Sequence, residues 1–336
     1  MRCRYVEDSG IGIRRVRRGH GFAYVDAKGR AVDAPRVLDR IRALAIPPAW
    51  EDVWICPSPN GHIQATGRDA RGRKQYRYHR EFRRERDETK YHRMIAFADV
   101  LPKIRARVDA DMRRTKNDRD KVLATVVRLL EISLIRIGHD EYAKKNGSYG
   151  LTTMTNRHVD VSGSTIRFHF RGKSGLRRVV DVHDRRLARV VEQIGDLPGQ
   201  RLFQYVDEDG RLRAIEADDV NEYLRRVAGD DFSAKDFRTW AGTVVAAHAL
   251  RELGPPLPNA KRKVVAAIKT AAARLGNTPA VCRSCYVHPE ILAAYLEGTL
   301  LDDLARGARG KSGLYPHEAA VAAVLRKRAH PRRQAA

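Results

Sequence analysis

Four cysteines in 336 residues (Cys3, Cys56, Cys282 and Cys285) are too few for a disulfide framework, and a chain long enough to bury a sizeable core needs none. Reduced thiols are the expectation. Cys282 and Cys285 have CxxC spacing, but a structural zinc takes four ligands and the chain has no second CxxC, so no metal is expected. Long apolar runs are missing as well. No stretch approaches the roughly 20 apolar residues of a spanning helix, and the basic start MRCRYVEDSG leads into no apolar signal core. Membrane attachment is therefore set aside and a cytoplasmic location expected. Acidic residues are in deficit, with 41 Asp and Glu against 65 Lys and Arg, for a net charge of +24. A field of that sign attracts polyanions, which makes nucleic acid the leading partner class.

The length and the 43% hydrophobic content suit two domains. Up to about residue 90 the chain reads as mostly β. Gly21–Asp26 and Ala31–Val32 flank the turn-like Ala27-Lys28-Gly29-Arg30, which predicts a hairpin. Asp33 is the candidate N-cap of a short amphipathic helix carrying Val37, Leu38, Ile41 and Leu44, stopped by Ile46-Pro47-Pro48. Val53–Cys56 and His62–Thr66 read as strands joined through Asn60-Gly61, a pair suited to the positive φ of a tight reversal, and Gln75–Tyr78 as another strand. Beyond residue 90 the pattern turns helical. Helices are predicted at Met94–Arg107, Asp118–Ile137 (closed by Gly138), Arg185–Ile194, Ala217–Ala228, Ala234–Leu253, Asn259–Leu275 and Pro289–Leu296. A small β insertion comprises Arg157–Val161, Thr165–Phe170 and Leu176–Val182. The expected organisation is α+β: a β-rich domain over 1–90, a larger, mainly helical domain with a small sheet over 91–325, and a frayed basic tail over 326–336.

Several residues suit phosphate chemistry, each beside a plainer reading. Arg68–Arg93 holds 11 Lys and Arg against 5 Asp and Glu, with Tyr76, Tyr78 and Tyr91 interleaved. Such a run is either a solvated linker or a surface that neutralises phosphates and lays tyrosines against sugars and bases. Arg136 reads as an ordinary helix-end cation. Lys173 sits at a hairpin tip between Gly172 and Gly175, either solvated or free to swing onto a ligand as a general acid. Ser233-Ala234-Lys235-Asp236 has the form of a capping box, which places Arg238 in the first turns of a helix, where phosphate is attracted. Gly276 ends one helix, and Thr278-Pro279 opens a short one that carries Tyr286 one to two turns in, as packing or as a nucleophile.

Taken in order, five stretches carry a resemblance. They are Leu134-Ile135-Arg136-Ile137-Gly138 with Tyr142 and Gly150-Leu151-Thr152-Thr153, then Gly172-Lys173-Ser174-Gly175, Lys235-Asp236-Phe237-Arg238-Thr239-Trp240, Leu275-Gly276-Asn277-Thr278-Pro279, and Ser284-Cys285-Tyr286. Over nearly the whole chain the set resembles the small type IB DNA topoisomerases of poxviruses and bacteria. That resemblance implies a catalytic domain of the tyrosine recombinase/type IB topoisomerase kind. It implies relaxation of supercoiled duplex DNA through a transient 3′-phosphotyrosine, without metal, nucleotide or other cofactor. By it, Tyr286 is the nucleophile, Arg136 and Arg238 bind the non-bridging phosphate oxygens, and Lys173 protonates the departing 5′-oxygen. Asn277 stands where poxvirus enzymes carry histidine; an amide donates a hydrogen bond but carries no proton, so its role is electrostatic. Gln75, Tyr76 and Tyr78, with Lys74 and Arg77 beside them, resemble the family's DNA-contacting strand. The partner implied is double-stranded DNA, gripped by a monomer that closes as a clamp at the nucleoid. Two rival readings are a tyrosine recombinase, whose HxxR motif is here Lys-Asp-Phe-Arg, and a non-catalytic basic DNA-binding protein.

Overall fold

A computed structural model describes residues 3–70, 72–307 and 313–329, with the side chains of residues 84–92 and 174 excepted. The side chain of Tyr91 and the tail beyond residue 329 lie outside the described residues. The chain divides into two compact units, Met1–Tyr91 and His92–Ala336.

In the first unit, β1 (Ile13–Arg18), β2 (Gly21–Val25), β3 (Glu51–Ile55), β4 (Ile63–Arg68) and β5 (Lys74–Tyr78) form an antiparallel sheet in the order β2-β1-β3-β4-β5. α1 (Pro35–Ala43) supplies Ile41, with Val37 and Leu44 at helical spacing, to a core built on Ile13, Val53, Ile55 and Ala65. Period two in the strands and 3.6 in the helix bring these residues together. The expected reversal at Ala27–Arg30 is present as a short hairpin: Asp26 N donates to Arg30 O and Val32 N to Tyr24 O, both at 2.9 Å, around the antiparallel Val25–Ala31 bridge, and β2 also pairs with β1 through Gly19-His20. Two local expectations are corrected. Ala34 is the N-cap residue, without a side-chain bond, and Pro35 opens the helix. Neither Asn60 nor Gly61 has positive φ. The buried Gln64 amide shapes that connection instead, donating to the carbonyls of Ser58, Pro59 and Gly61 at 3.1, 3.1 and 2.7 Å.

α2 (Arg80–Asp111) contains the boundary between the units, and α3 (Arg119–Ser133) is the central helix of the second. Val122, Leu123, Val126, Leu129 and Leu130 bury more than one face of α3, as a helix enclosed on all sides requires. The Asp118 carboxylate caps it by accepting from Lys121 N at 3.0 Å, a contact typically worth about 1 kcal/mol. α3 ends at Leu134 in the left-handed region (φ 56°), four residues short of the expected glycine. After α4 (Asp140–Asn146) come β6 (Val159–Ser162), β7 (Thr165–Arg171) and β8 (Arg177–His183), a three-stranded antiparallel sheet in that order. α5 (Arg185–Gly195), the hairpin of β9 (Gln204–Val206) and β10 (Leu212–Ala214), and α6 (Ala217–Ala228) follow. α7 (Ala234–Glu252) and α8 (Ala260–Leu275) pack against each other and lead to α9 (Pro279–Cys285), α10 (Pro289–Leu296), α11 (Leu300–Gly307) and α12 (Pro316–Ala329).

The start of the basic tail is not frayed. Arg326, Lys327 and Arg328 form the last turn of α12, where Arg326 pairs with Asp99, Lys327 with Asp303, and Arg328 with Glu290 and Glu297. Deeper in, Glu318 of α12 accepts two bonds from Arg105, both at 2.8 Å, and one from the Trp240 indole at 3.1 Å. Arg105 also bonds Glu131 at 2.6 Å, so this buried charge network ties α2, α3, α7 and α12 together. Among the described residues, no helix is long and apolar enough to cross a membrane, and all four cysteines are free.

Candidate active site

Arg136 is not a helix-end residue. The left-handed turn at Leu134 releases the chain from α3, and Leu134–Gly138 runs on as an irregular segment. That segment is held from the side: Leu151 N donates to Arg136 O at 2.9 Å and Thr152 N to Ile137 O at 2.8 Å. Gly150 lies so close that a Cβ there would stand 2.5 Å from both Arg136 O and Gly138 N, and Gly138 itself has φ +98°. Only glycine fits such an approach, which is the physical reason the two motifs occur together.

Arg238 projects from the first turns of α7. The expected capping box is present, with Ser233 N donating to the Asp236 carboxylate at 2.8 Å. The guanidinium is buried, 4% exposed. Nη1 donates to Leu134 O, and Nη2 donates to Leu275 O at 2.8 Å. Among the described residues, Arg238 Nε is buried without a partner. Burial, together with the charge of Arg136, pushes the pKa of Arg238 down to about 10, and Tyr286 opposes the shift. Arg136 is likewise lowered by burial and raised by Tyr286. A cation held in this way gains by meeting an anion.

Gly276 closes α8 in the left-handed region (φ +62°), and Asn277 follows with its N–H on Ala272 O at 2.9 Å. The Asn277 Oδ1 accepts from Arg136 Nη2, which leaves Nδ2 as a buried donor with no partner. Thr278 then caps α9, accepting from Val281 N at 3.4 Å, with Pro279 at the first helical position as expected. Tyr286 is the C-cap residue of α9 and not an interior position. Its half-buried ring lies with its centroid 5.4 Å from the Arg238 guanidinium carbon. Thr243 Oγ1 donates to Tyr286 O at 3.1 Å, and Gly242 allows the approach: a Cβ there would be 2.9 Å from that oxygen and 3.0 Å from Tyr286 Cβ. The neighbouring Cys282 is buried, which pushes its thiol up to about 11 and leaves it a packing group.

Lys173 starts a single 3-10 turn, Lys173–Gly175, between β7 and β8. It is exposed and lines the same pocket as Arg136 and Arg238. Two further lining residues were not singled out from sequence, Tyr149 and Arg178. Tyr149 N donates to Arg171 O at 2.8 Å, tying the Gly150 segment that holds Arg136 to the Lys173 hairpin. Arg178 is one arginine among many in an alternating strand, where it stands opposite Phe170.

In the first unit, strand alternation divides the five candidate DNA contacts of β5. Lys74, Tyr76 and Tyr78 are exposed on one face, the two tyrosine rings stacked at 5.7 Å and 9°. Lys74 pairs with Asp8 at 2.6 Å. Gln75 and Arg77 are half-buried on the other face, where Gln75 donates to Asp69 at 3.0 Å and Arg77 to Ala45 O at 2.7 Å.

Comparison with known proteins gives the family. A family model described as eukaryotic DNA topoisomerase I, catalytic core, matches residues 79–299, and one described as bacterial DNA topoisomerase IB, N-terminal domain, matches residues 21–69. The DNA topoisomerase 1B of Acanthamoeba polyphaga mimivirus is 31% identical over 293 residues, covering 84% of this chain and 87% of that protein. The DNA topoisomerase 1B of Vaccinia virus (strain Copenhagen) is 24% identical over 71% of this chain and 74% of its own. For the DNA topoisomerase 1 of Rabbit fibroma virus (strain Kasza) the figures are 27%, 67% and 70%. With the catalytic-core model spanning most of its length and a relative of this identity, the chain belongs to the type IB DNA topoisomerase family.

Proposed function

We propose that the chain relaxes supercoiled duplex DNA by transient single-strand cleavage at Tyr286. The phenolic oxygen attacks the scissile phosphorus, the P–O5′ bond breaks, and a 3′-phosphotyrosine remains. The phenolic proton leaves to solvent, and Lys173 gives a proton to the departing 5′-oxygen, which would otherwise leave as a strongly basic alkoxide. Arg136, Arg238 and the Asn277 amide take up the charge that grows on the non-bridging oxygens. The phosphotyrosine keeps the energy of the broken ester, so resealing is the reverse attack and no ATP is consumed. Fixed donors do here what a divalent cation does elsewhere, so no metal is required. Rotation of the free 5′ end between the two steps releases supercoils.

One observation carries the reading: the Tyr286 ring lies beneath a buried arginine held by two carbonyls and, among the described residues, by no carboxylate, in a site that also holds an asparagine whose amide donor is unsatisfied. Two buried, unneutralised groups of this kind are costly unless an anion completes them. The test is plasmid relaxation in chelator without ATP, followed by denaturation to trap a protein–DNA adduct. Wild type should relax the plasmid and form the adduct, and Tyr286→Phe should do neither. An adduct from the phenylalanine variant would sink the assignment.

The same reading extends to the DNA grip. Tyr76 and Tyr78, with Lys74, meet the duplex, while Gln75 and Arg77 steady the edge strand that carries them. A single chain suffices and its two units close as a clamp on DNA in the nucleoid. Relaxation rates proportional to protein concentration test the first point, and salt-resistant retention on closed circles but not on linear DNA tests the second.

A further inference from the structure

We infer that Arg178 is a third arginine of the phosphate site, placed to contact the scissile phosphodiester together with Arg136 and Arg238. The inference rests on the assignment of Tyr286 as nucleophile. Arg178 lies on β8 opposite Phe170 and lines the pocket that holds Arg136, Lys173 and Arg238. Its stem passes Gly172, where an added Cβ would sit 3.4 Å from Arg178 Cγ. Its head rests on Gly276, the residue before Asn277, where a methyl group would collide with Nη1. The side chain therefore spans from the base of the Lys173 hairpin to the end of α8.

What marks Arg178 out is the company it keeps. Most half-buried arginines of the second unit meet carboxylates, as Arg105, Arg128 and Arg328 do. Beyond the backbone pairing of its strand, the Arg178 side chain has no hydrogen bond or ion pair among the described residues. Its charged neighbours are cations: burial lowers its pKa, and the charges of Arg136 and Arg274 lower it further. Its own charge in turn acts on Arg238. Three guanidiniums held within one another's fields and without an acid are an unfavourable arrangement until an anion enters. Two of them already face the place where the phosphate is proposed to sit, and the third completes the cationic wall on the hairpin side.

The test is single-turnover formation of the covalent adduct at a mapped cleavage site, with either an ordinary phosphodiester or a methylphosphonate at the scissile position. The methylphosphonate replaces a charged non-bridging oxygen by a methyl group, so a residue that neutralises that oxygen loses its advantage. Arg178→Ala should slow adduct formation at least about tenfold on the phosphodiester, as the loss of one charge-stabilising donor does. Arg178→Lys should recover part of the rate. On the methylphosphonate, the gap between wild type and Arg178→Ala should shrink to less than about threefold, since the charge to be met is gone. A wild-type rate for Arg178→Ala, or an equal deficit on both substrates, overturns the inference. Should the alanine variant unfold, Arg178→Gln and Arg178→Lys carry the same comparison. If wild type itself forms no adduct, the Tyr286 assignment fails; an adduct indifferent to Arg178 sinks this inference alone.

Discussion

Replacing Asn277 by aspartate changes one atom of the site and should move activity and stability in opposite directions. In the free protein the Asn277 Oδ1 accepts from Arg136 while Nδ2 is buried and unpaired. Asn277→Asp keeps the acceptor, removes the orphaned donor, and sets a carboxylate beside Arg136. The orphaned donor becomes a carboxylate oxygen, and meeting the buried Arg136 guanidinium with a charge is worth about 1–3 kcal/mol. For a unit of this size each kcal/mol raises the melting temperature by about 2–4 °C, so the variant should melt several degrees higher. Catalysis suffers twice. The lost donor alone costs roughly 10²–10³ in rate. A carboxylate about 4 Å from the anionic phosphate adds a repulsion of about 4 kcal/mol at an effective dielectric near 20. Cleavage should fall by at least about 10³-fold, most of it in the chemical step. Thermal unfolding without DNA and single-turnover cleavage with DNA in excess measure the two arms. A variant that cleaves within tenfold of wild type, or one that is inactive and also melts lower, would refute the reasoning.

Three other outcomes are expected. Asn277→His should stay active, within about tenfold of wild type, because the imidazole N–H replaces the amide donor; an inactive but folded variant in the cleavage assay would count against it. Gly242→Ala should slow cleavage by about 10–10²-fold without weakening DNA binding, because a Cβ 2.9 Å from Tyr286 O displaces the proposed nucleophile. Parallel cleavage and gel-shift titrations decide this, and an equal loss in both would place the effect in binding. Glu318→Gln should destabilise the second unit by about 1–3 kcal/mol, since it removes one of the two carboxylates that Arg105 meets and leaves Glu131 as the other. Burial pushes the Glu318 carboxyl up, but the bonds and charge of Arg105 outweigh it and hold the pKa below 4.5. Its stabilising contribution is therefore complete above pH about 4.5 and lost as the pH falls through the depressed value. Melting temperature followed from pH 7 to 3 should show a shallower acid limb in Glu318→Gln than in wild type, and identical limbs would remove Glu318 from the network.

Much of the fold could be read from local signals, and the failures share a cause. The capping box before Arg238 and the Gly276-Asn277-Thr278-Pro279 junction are written in neighbouring residues, and both were legible. The end of α3 was not, because a leucine at φ 56° carries no signal of its own and Gly138 four residues later looks like the stop. That misplaced Arg136 on a helix, although the motif holding it was recognised. The order of the sheet in the first unit was hidden because the arginine-rich β1 has little apolar alternation to reveal it. The basic end of α12 looked solvated because its acidic partners, Asp99, Glu290, Glu297 and Asp303, come from far along the chain. Arg178 escaped notice for the same reason: what distinguishes it is an absence of carboxylates in space, which no spacing in sequence records.

The two carbonyls that hold Arg238 have a consequence for how the enzyme can change. Leu134 O and Leu275 O terminate α3 and α8, where the partial negative ends of the helix dipoles gather. Dipoles anchor a guanidinium without cancelling it, so nearly its whole charge stays available to the phosphate that the proposed mechanism brings there. The same contacts make the residue a stopper for both helices. Scaffold and chemistry thus share one side chain, and a substitution at this position cannot retune the reaction while leaving the architecture untouched.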